Sequence, residues 1–175
     1  MVVQRIAIIA SASGNGKTTL ARRLARRVAV PWIELDRLVH GPQWRETPDE
    51  ILRTQVSRLL VEPRWIIDGQ YFSKLGQSVL QAADLVVWLD LPLPIILLRL
   101  VRRSVARWRS QRALWNGNRE TLHGVIGGPD SLFGFAISSH YRRRRSWPRL
   151  LRPYPLVRLR SAPEVARFLR AFAEP

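Results

Sequence analysis

Short runs rich in β-branched and aromatic residues alternate along the chain with segments in which apolar residues recur at helical spacing. In the segment 17–29, Leu20, Leu24 and Val28 share one face and arginines occupy the other. The strand-like runs cover residues 4–10, 31–35, 64–68, 84–90 and 154–160. Strands that alternate with helices are joined by right-handed crossovers, so the pattern predicts a three-layer α/β fold with about five parallel strands.

Two of the helical segments begin with the pattern of a capping box. Thr47 and Glu50 stand three residues apart, as do Ser161 and Glu164, and Pro48 occupies a first helical position. In a capping box the hydroxyl accepts a hydrogen bond from the backbone N–H three residues later. We therefore expect helices to begin at both places.

The alternation is lost between about residues 104 and 130. Several turn-forming residues interrupt the pattern there, namely Gly117, Gly124, Gly127, Gly128 and Pro129. A stretch of this length without regular structure is typical of lids and binding loops, or of disorder. A helix is expected to resume at Asp130. We expect one domain, 1–175, with a lid insertion at about 104–145, and we find no repeats and no second domain.

The chain is strongly basic, because 29 Lys and Arg residues against 13 Asp and Glu give a formal net charge of +16. Between Leu91 and Pro163 the only acidic residues are Glu120 and Asp130. Such a field attracts polyanions, which include nucleic acids, nucleotides and anionic membrane surfaces. The alternative is that most of these arginines are simply solvated, which would give the same net charge. In either case the net charge bears on the partners of the protein and not on its fold.

Composition excludes several other kinds of protein. The chain has no cysteine, which excludes disulfides and thiolate metal sites, and its three histidines are scattered. The longest apolar stretch, residues 83–101, contains acidic, basic and proline residues, so it does not predict a membrane span. The N-terminus leads directly into a strand-like run without the features of a signal peptide. We expect a soluble cytoplasmic protein with no membrane partner.

Residues 11–19, Ser-Ala-Ser-Gly-Asn-Gly-Lys-Thr-Thr, follow the first strand-like run and precede the first helical segment. Phosphate-binding loops in that context have the pattern Gly-x4-Gly-Lys-Ser/Thr; Gly16, Lys17 and Thr18 match it, and Ser11 replaces the first glycine. Lys17 would neutralise the β and γ oxygens, and the Thr18 hydroxyl would bind Mg²⁺. The predicted nucleotide-binding residues of the loop are Ser13, Gly14, Asn15, Gly16, Lys17, Thr18 and Thr19. The alternative is a glycine-rich turn that only begins a helix.

Three strand-like runs end in an acid, at the sheet edge where open α/β sheets bind ligands. Asp68 is placed as a Walker B-type acid, so Thr18 and Asp68 are the predicted Mg²⁺ ligands. Asp36 would act as a general base or as a second contact to Mg²⁺. For both acids the alternative is a helix cap, and Asp90, which precedes Leu-Pro, is expected to be such a cap.

The chain resembles the adenylate kinase-like phosphate-loop kinases, and among them most closely the bacterial DNA topology modulation (FlaR-like) proteins. The likeness covers nearly the whole chain and is carried by SGNGKTTLA (13–21), IELD (33–36), WIIDGQY (65–71) and VVWLDLPLPIILLRLVRR (86–103). It implies that Arg99 packs on the purine base and that Arg103 reaches the transferring phosphates from the same helix face. The alternative for these two arginines is an exposed basic stripe. The arginine that grips the acceptor phosphate in adenylate kinases has no counterpart in DGQYFSKL (68–75).

A lid would close positive charge over the transferring phosphoryl group and exclude water. Arg119 and the run Arg142–Arg145 are the candidates, although at most two of four consecutive arginines can point inward. The segment 36–47, which contains His40, Trp44 and Arg45, could hold an aromatic or anionic acceptor.

These features predict an ATP- and Mg²⁺-dependent phosphotransferase that passes a γ-phosphoryl group to a small hydroxyl or phosphate acceptor. Its partners would be a nucleoside triphosphate and a small molecule, and its catalytic residues Lys17, Asp36, Asp68 and Arg103. Two alternatives stay open: a nucleotide-binding regulator associated with nucleic acid, and a kinase that acts on polynucleotide ends. The sequence identifies neither the acceptor nor the oligomeric state.

Overall fold

A computed structural model of the chain describes residues 3–110, 115–117, 128 and 131–172. Five parallel strands form one sheet in the order β2-β3-β1-β4-β5, with helices on both faces, which confirms the predicted three-layer α/β fold. Each strand lies within the run predicted for it. The strands are β1 Arg5–Ala10, β2 Trp32–Glu34, β3 Trp65–Asp68, β4 Leu85–Leu89 and β5 Leu156–Leu159.

Eight helices surround the sheet in the part of the chain that the structure describes. They are α1 Lys17–Val28, α2 Leu35–Val39, α3 Asp49–Leu60, α4 Phe72–Leu75, α5 Ser78–Ala82, α6 Leu93–Ser110, α7 Leu132–Leu150 and α8 Ala162–Ala171. Short 3₁₀ turns occupy Pro42–Trp44 and Trp115–Gly117. None of the described helices combines the length and the apolar character that crossing a bilayer requires.

The apolar stripes of the helices bury against the two faces of the sheet. Leu24 of α1 and Leu169 of α8 pack against one face, and Leu52 of α3 and Trp147 of α7 pack against the other. A smaller cluster joins α6 and α7 next to the loop after β1; its buried members are Ala12, Leu91, Ile96, Leu100 and Ala136. The loop that carries the phosphate-binding motif therefore rests on α6.

One of the two predicted capping boxes is present. Ser161 accepts a hydrogen bond from the Glu164 N–H at the start of α8, and the Glu164 carboxylate accepts one from the Ser161 hydroxyl in return. The capping box predicted at Thr47 is wrong. Helix α3 begins at Asp49 without a side-chain cap, because the Thr47 hydroxyl donates instead to the Leu38 carbonyl at 2.6 Å.

The break in the alternation begins later than predicted. Helix α6 continues to Ser110, since no glycine or proline interrupts the chain between Val101 and that residue. Helix α7 begins at Leu132, after Ser131 has accepted a 3.2 Å hydrogen bond from the Gly134 N–H as its cap. Residues 111–114, 118–127 and 129–130 of the predicted lid lie outside the described residues, and the lid stays a prediction.

Candidate active site

A glycine-rich loop, residues 11–16, joins β1 to α1. Gly14 and Gly16 have φ values of 86° and 94°, in the left-handed region that glycine adopts without steric cost. A Cβ atom at Gly14 would lie 2.8 Å from Leu100 Cγ, so the loop lies directly against α6. The first N–H groups of α1, which begins at Lys17, have no partner within the helix and can donate to an anion.

Ser11, which replaces the first glycine of the motif, uses its side chain to hold the loop. Its φ is not positive, so this position does not need glycine. The hydroxyl accepts a 2.8 Å hydrogen bond from Trp88 Nε1 and donates at 2.6 Å to Asp90 Oδ1. All three residues are buried. The departure from the motif is therefore accommodated by a buried chain of hydrogen bonds.

The side chain of Asn15 is also structural. It donates to the Ala12 carbonyl and accepts from the Leu91 N–H, both at 2.9 Å, and so ties the loop to the chain after β4. Any contact that Asn15 makes with a phosphate must come from its backbone. Among the other residues predicted to bind nucleotide, Ser13 is half-buried and Thr19 is exposed.

Lys17 and Thr18 lie at the start of α1, beside the carboxyl ends of β2 and β3. The Thr18 hydroxyl donates to Glu34 Oε1 at 3.3 Å, and Glu34 is opposite Asp68 in the register of the two strands. Burial raises the pKa of Asp68 to about 6, and the Lys17 ammonium and the Thr18 hydroxyl offset that effect only in part. The structure thus brings Lys17, Thr18 and Asp68 together, as predicted.

The surroundings of Asp68 fit a bound cation. The residue is 2% exposed and its Oδ2 atom has no hydrogen-bond partner. A buried carboxylate oxygen without a partner is costly, and a cation would satisfy it. Within the described residues no three His, Cys, Asp or Glu side chains form a metal cluster of their own. Mg²⁺ in phosphotransferases is typically held by one or two carboxylates together with substrate phosphates, so Thr18 and Asp68 suit it.

Asp36 lies in α2, just past the end of β2. Its Oδ1 atom accepts a 2.5 Å hydrogen bond from the Tyr71 hydroxyl, whose oxygen is also 3.3 Å from His40 Nε2. Trp44 stands edge-on to the His40 ring, with 5.6 Å between the ring centroids. The negative charge of Asp36 contributes to the raised pKa of Asp68, so the two carboxylates share the same edge of the sheet.

Helix α6 brings the two predicted arginines towards the loop side of the sheet. Arg99 Nη1 donates a 3.0 Å hydrogen bond to the Asn15 carbonyl and would be 3.4 Å from a Cβ at Gly16. Arg103 is half-buried one turn later on the same helix. The contacts implied by the resemblance, Arg99 with the base and Arg103 with the phosphates, stay predictions.

Helix α7 turns one of its four consecutive arginines, Arg143, inward, and a second, Arg144, reaches a buried carboxylate from an exposed position. Arg143 Nη1 donates to the Ala10 carbonyl at 3.1 Å, and burial lowers the pKa of this guanidinium to about 10. Arg144 Nε lies 3.3 Å from Asp90 Oδ2. Arg142, Arg144 and Arg145 are exposed. Arg119, the remaining arginine of the predicted lid, lies outside the described residues.

Asp90 is not the helix cap that its position before Leu-Pro predicts. Its carboxylate is fully buried and accepts from Ser11 on one oxygen, while Arg158 donates to the other at 2.6 Å. The Arg158 guanidinium also lies over the Trp88 ring, 3.9 Å from its centroid. The carboxylate is thus occupied by side chains from three segments and does not bind the start of α6.

Sequence reasoning missed several side chains of this edge. Glu34 lies at the end of β2 and could have been found, because it is an acid near the end of a strand-like run, as Asp68 is. Gln70 lies in the stretch WIIDGQY. Its side-chain amide accepts a hydrogen bond from the Ala10 N–H and donates one to the Ala10 carbonyl, both at 3.3 Å. Tyr71 lies in that stretch as well. Arg158 gave no signal, because nothing local distinguishes it from the many other arginines.

No protein-family model and no curated protein matches the chain. Solved structures with a similar fold include the shikimate kinase from Acinetobacter baumannii in complex with shikimate, with a TM-score of 0.60 at 13% identity over 96% of this chain and 90% of that one. The shikimate kinase from Bacteroides thetaiotaomicron has a TM-score of 0.56 at 15% identity over 97% and 96%. The deoxyadenosine kinase from M. mycoides with bound dCTP has a TM-score of 0.55 at 10% identity over 95% and 97%.

A gluconokinase from Sinorhizobium meliloti 1021 is similar as well, with a TM-score of 0.53 at 16% identity over 97% of this chain and 89% of that one. At such low identities the likeness concerns the fold alone. The further resemblance to DNA topology modulation proteins has no support in these comparisons and stays a prediction. The chain has the fold of P-loop kinases for small molecules and nucleosides.

Proposed function

We propose that the chain is an ATP- and Mg²⁺-dependent kinase that transfers a γ-phosphoryl group to a small acceptor. One observation carries the proposal: the buried Asp68, with an oxygen that has no partner, lies beside Lys17 and Thr18 at the end of a phosphate-binding loop. A glycine-rich turn that only began a helix would require neither the lysine nor the unsatisfied carboxylate. The fold of the similar kinases supports the same conclusion.

In this proposal the residues of the chain position the reactants and neutralise charge. The loop backbone and Lys17 hold the β- and γ-phosphates. Thr18 and Asp68 would hold Mg²⁺, which neutralises phosphate charge when it is bound. Asp36 orients the acceptor and takes its proton, and Arg103 stabilises the transferred group.

The decisive experiment measures ATP binding by calorimetry in the wild-type protein and in a Lys17→Ala variant. The variant should keep its fold and lose ATP binding, because the ammonium is the point charge on the β and γ oxygens. Lys74→Ala is the matched control, since Lys74 is the other lysine of the chain and is paired with Glu46 and Asp49. Equal ATP affinity in wild type and a folded Lys17→Ala variant would contradict the proposal.

A nucleic-acid-associated function is the second candidate, and the formal net charge of +16 favours it. Binding through phosphate contacts should weaken steeply as salt rises, whereas turnover of a small molecule should not. Titration of short DNA and RNA at several salt concentrations, alongside ATP consumption, distinguishes the two. A kinase that acts on polynucleotide ends would show both the salt dependence and the ATP consumption.

A further inference from the structure

Three side chains on the acceptor side of Asp68 form a connected row. The Tyr71 hydroxyl lies 2.5 Å from Asp36 Oδ1 and 3.3 Å from His40 Nε2. A carboxylate only accepts, so the single proton of the phenol points to Asp36. The imidazole Nε2 must then be the donor in its contact with the phenolic oxygen. The row therefore has a fixed direction, from His40 through Tyr71 to Asp36.

The Tyr71 hydroxyl keeps its proton, and so remains a donor, at neutral pH. Burial raises its pKa strongly, and the charge of Asp36 together with the hydrogen bond to it adds to the effect. In the described part of the chain no second side chain donates to Asp36, so Oδ1 is held while Oδ2 is available to a hydroxyl group of the acceptor. Tyr71 is thus a positioning residue that aims the carboxylate.

The same region is rich in negative charge. Asp36, Glu46 and Asp68 all act on Tyr71 to raise its pKa, and Glu34 lies opposite Asp68 in the sheet.

Among the described residues, the two lysines near these carboxylates are already engaged. Lys74 is held by Glu46 at 3.0 Å and by Asp49 at 2.8 Å. Lys17 belongs to the phosphate loop. Arg37 and Arg45 are exposed, so solvent and salt screen their charges. An anionic acceptor at Asp36 would therefore meet carboxylates first, and like charges at such distances repel.

We infer that the acceptor of the proposed kinase is an uncharged compound with hydroxyl groups, such as a sugar, a polyol or a nucleoside, and not a phosphate or a carboxylate. The inference rests on the proposed function and names its substrate class. The acceptor oxygen forms a bond to the γ-phosphorus of ATP, and its proton passes to Asp36 Oδ2. The bond between that phosphorus and the β–γ bridging oxygen breaks, and ADP leaves with the electron pair.

The test uses matched pairs of compounds that differ by one anionic group. Suitable pairs are adenosine and AMP, thymidine and TMP, ribose and ribose 5-phosphate, and glycerol and glycerol 3-phosphate. Release of ADP is measured with ATP and Mg²⁺ for every pair, next to a wider set of uncharged sugars and polyols. At least one uncharged compound should be phosphorylated, with a kcat/KM about 100-fold or more above that of its anionic counterpart.

Faster turnover of the anionic members overturns the inference. Absence of turnover with every uncharged compound, in a protein that binds ATP, overturns it as well. The calorimetric comparison with Lys17→Ala separates this from failure of the proposed function. If ATP does not bind through the loop, the kinase proposal fails; if ATP binds and anionic acceptors react, only the substrate class is wrong.

Two variants examine the row itself. Asp36→Asn should abolish turnover and reduce the ratio of the Kd for AMP to the Kd for adenosine, because the variant removes the charge that repels the phosphate. Tyr71→Phe should lower kcat about 10- to 100-fold and leave the KM for ATP unchanged, since only the hydrogen bond that orients the Asp36 carboxylate is lost. Tyr154→Phe, which removes an exposed hydrogen bond to Gln77, is the matched control and should change neither value. Unchanged kcat in a folded Tyr71→Phe variant contradicts the role of Tyr71.

Discussion

The Ser11 hydroxyl donates a 2.6 Å hydrogen bond to Asp90 Oδ1, which fastens the base of the phosphate-binding loop to the end of β4. The other oxygen of the same carboxylate accepts from Arg158 at 2.6 Å and lies 3.3 Å from Arg144. One buried carboxylate therefore connects the loop with β5 and with α7. The loop is held in place by contacts that the phosphate-binding motif itself does not include.

Asp90→Ala should destabilise the protein strongly, because the substitution leaves the half-buried Arg158 guanidinium and the buried Ser11 hydroxyl without the carboxylate that they contact. Removal of one partner from a buried ion pair typically costs about 3–5 kcal/mol. The free energy of unfolding in urea is the measurement. Glu46→Ala is the control: it removes a half-exposed partner of Lys74 and should cost about 1 kcal/mol or less. Equal losses in the two variants would mean that the Asp90 contacts are not stabilising.

The alternation of strand-like and helical patterns was sufficient to predict the three layers and the five strands. Each strand is short and bounded by polar or turn-forming residues, so its place is determined locally. The loop residues Lys17 and Thr18 and the acid Asp68 were predictable for a related reason. Parallel strands place their carboxyl ends at one edge, which brings acids at different strand ends together.

Contacts between distant segments could not be predicted. Thr47 and Glu50 have the sequence pattern of a capping box. In the folded protein, however, the Thr47 hydroxyl donates to the Leu38 carbonyl at the end of α2. Asp90 has the sequence context of a cap, yet Arg158 and Ser11 reach it from β5 and from the loop. Tyr71 is 35 positions from Asp36, and only the fold brings the two together.

Asp68→Asn should stabilise the metal-free protein at neutral pH. Burial raises the folded-state pKa of Asp68 to about 6, above its usual value of 3.8. The folded protein therefore binds a proton more tightly than the unfolded chain, and the carboxylate lowers stability as pH rises from about 4 to 6. Removing it should raise the free energy of unfolding by up to about 3 kcal/mol above pH 6 and by little near pH 4. Urea unfolding across this pH range with a chelator present measures it.

The same variant should lose the stabilisation that Mg²⁺ gives to the protein with a bound ATP analogue, because the buried oxygen that would face the ion is gone. Asp49→Asn is the control with the opposite sign. A hydrogen bond from Lys74 lowers the pKa of Asp49, so its contribution to stability is present at neutral pH and is lost as pH falls. An Asp68→Asn variant that is less stable than wild type at pH 8 would contradict the account of this site.

Arg99 and Arg103 should affect different steps. Arg99 donates to the Asn15 carbonyl in the loop, so Arg99→Ala should weaken ATP binding about tenfold, a loss of roughly 1.4 kcal/mol. Arg103→Ala should leave ATP affinity nearly unchanged and lower kcat about 10²- to 10³-fold, since its charge is expected to act on the transferring group. Arg103→Lys should recover little of that loss, because an ammonium lacks the planar fork of a guanidinium.

Calorimetry with ATP and steady-state kinetics on an accepted substrate measure the two effects. Arg102→Ala is the matched control on the same helix, where the side chain is exposed, and should change neither quantity. Small and equal effects at all three positions would favour the exposed basic stripe, and the roles implied by the likeness to adenylate kinases would then be wrong for this helix.

Gly14→Ala should disrupt the loop more than the backbone conformation alone explains. The residue has a φ of 86°, and the added Cβ would lie 2.8 Å from Leu100 Cγ and 3.0 Å from the Ile96 carbonyl oxygen. Positive φ costs about 1 kcal/mol for alanine, and overpacking adds about 1–3 kcal/mol. Because the loop can relieve the contact only by moving away from α6, ATP affinity should fall together with stability.

Gly117→Ala separates the two contributions, since Gly117 has a similar φ of 80° and no atom within 4 Å of an added Cβ. That variant should lose only the backbone cost of about 1 kcal/mol in urea unfolding and should bind ATP as wild type does. A larger loss in Gly14→Ala, accompanied by weaker ATP binding in calorimetry, means that close packing on α6 sets the shape of the phosphate loop. Equal losses with normal ATP binding would mean that the loop takes its shape without α6.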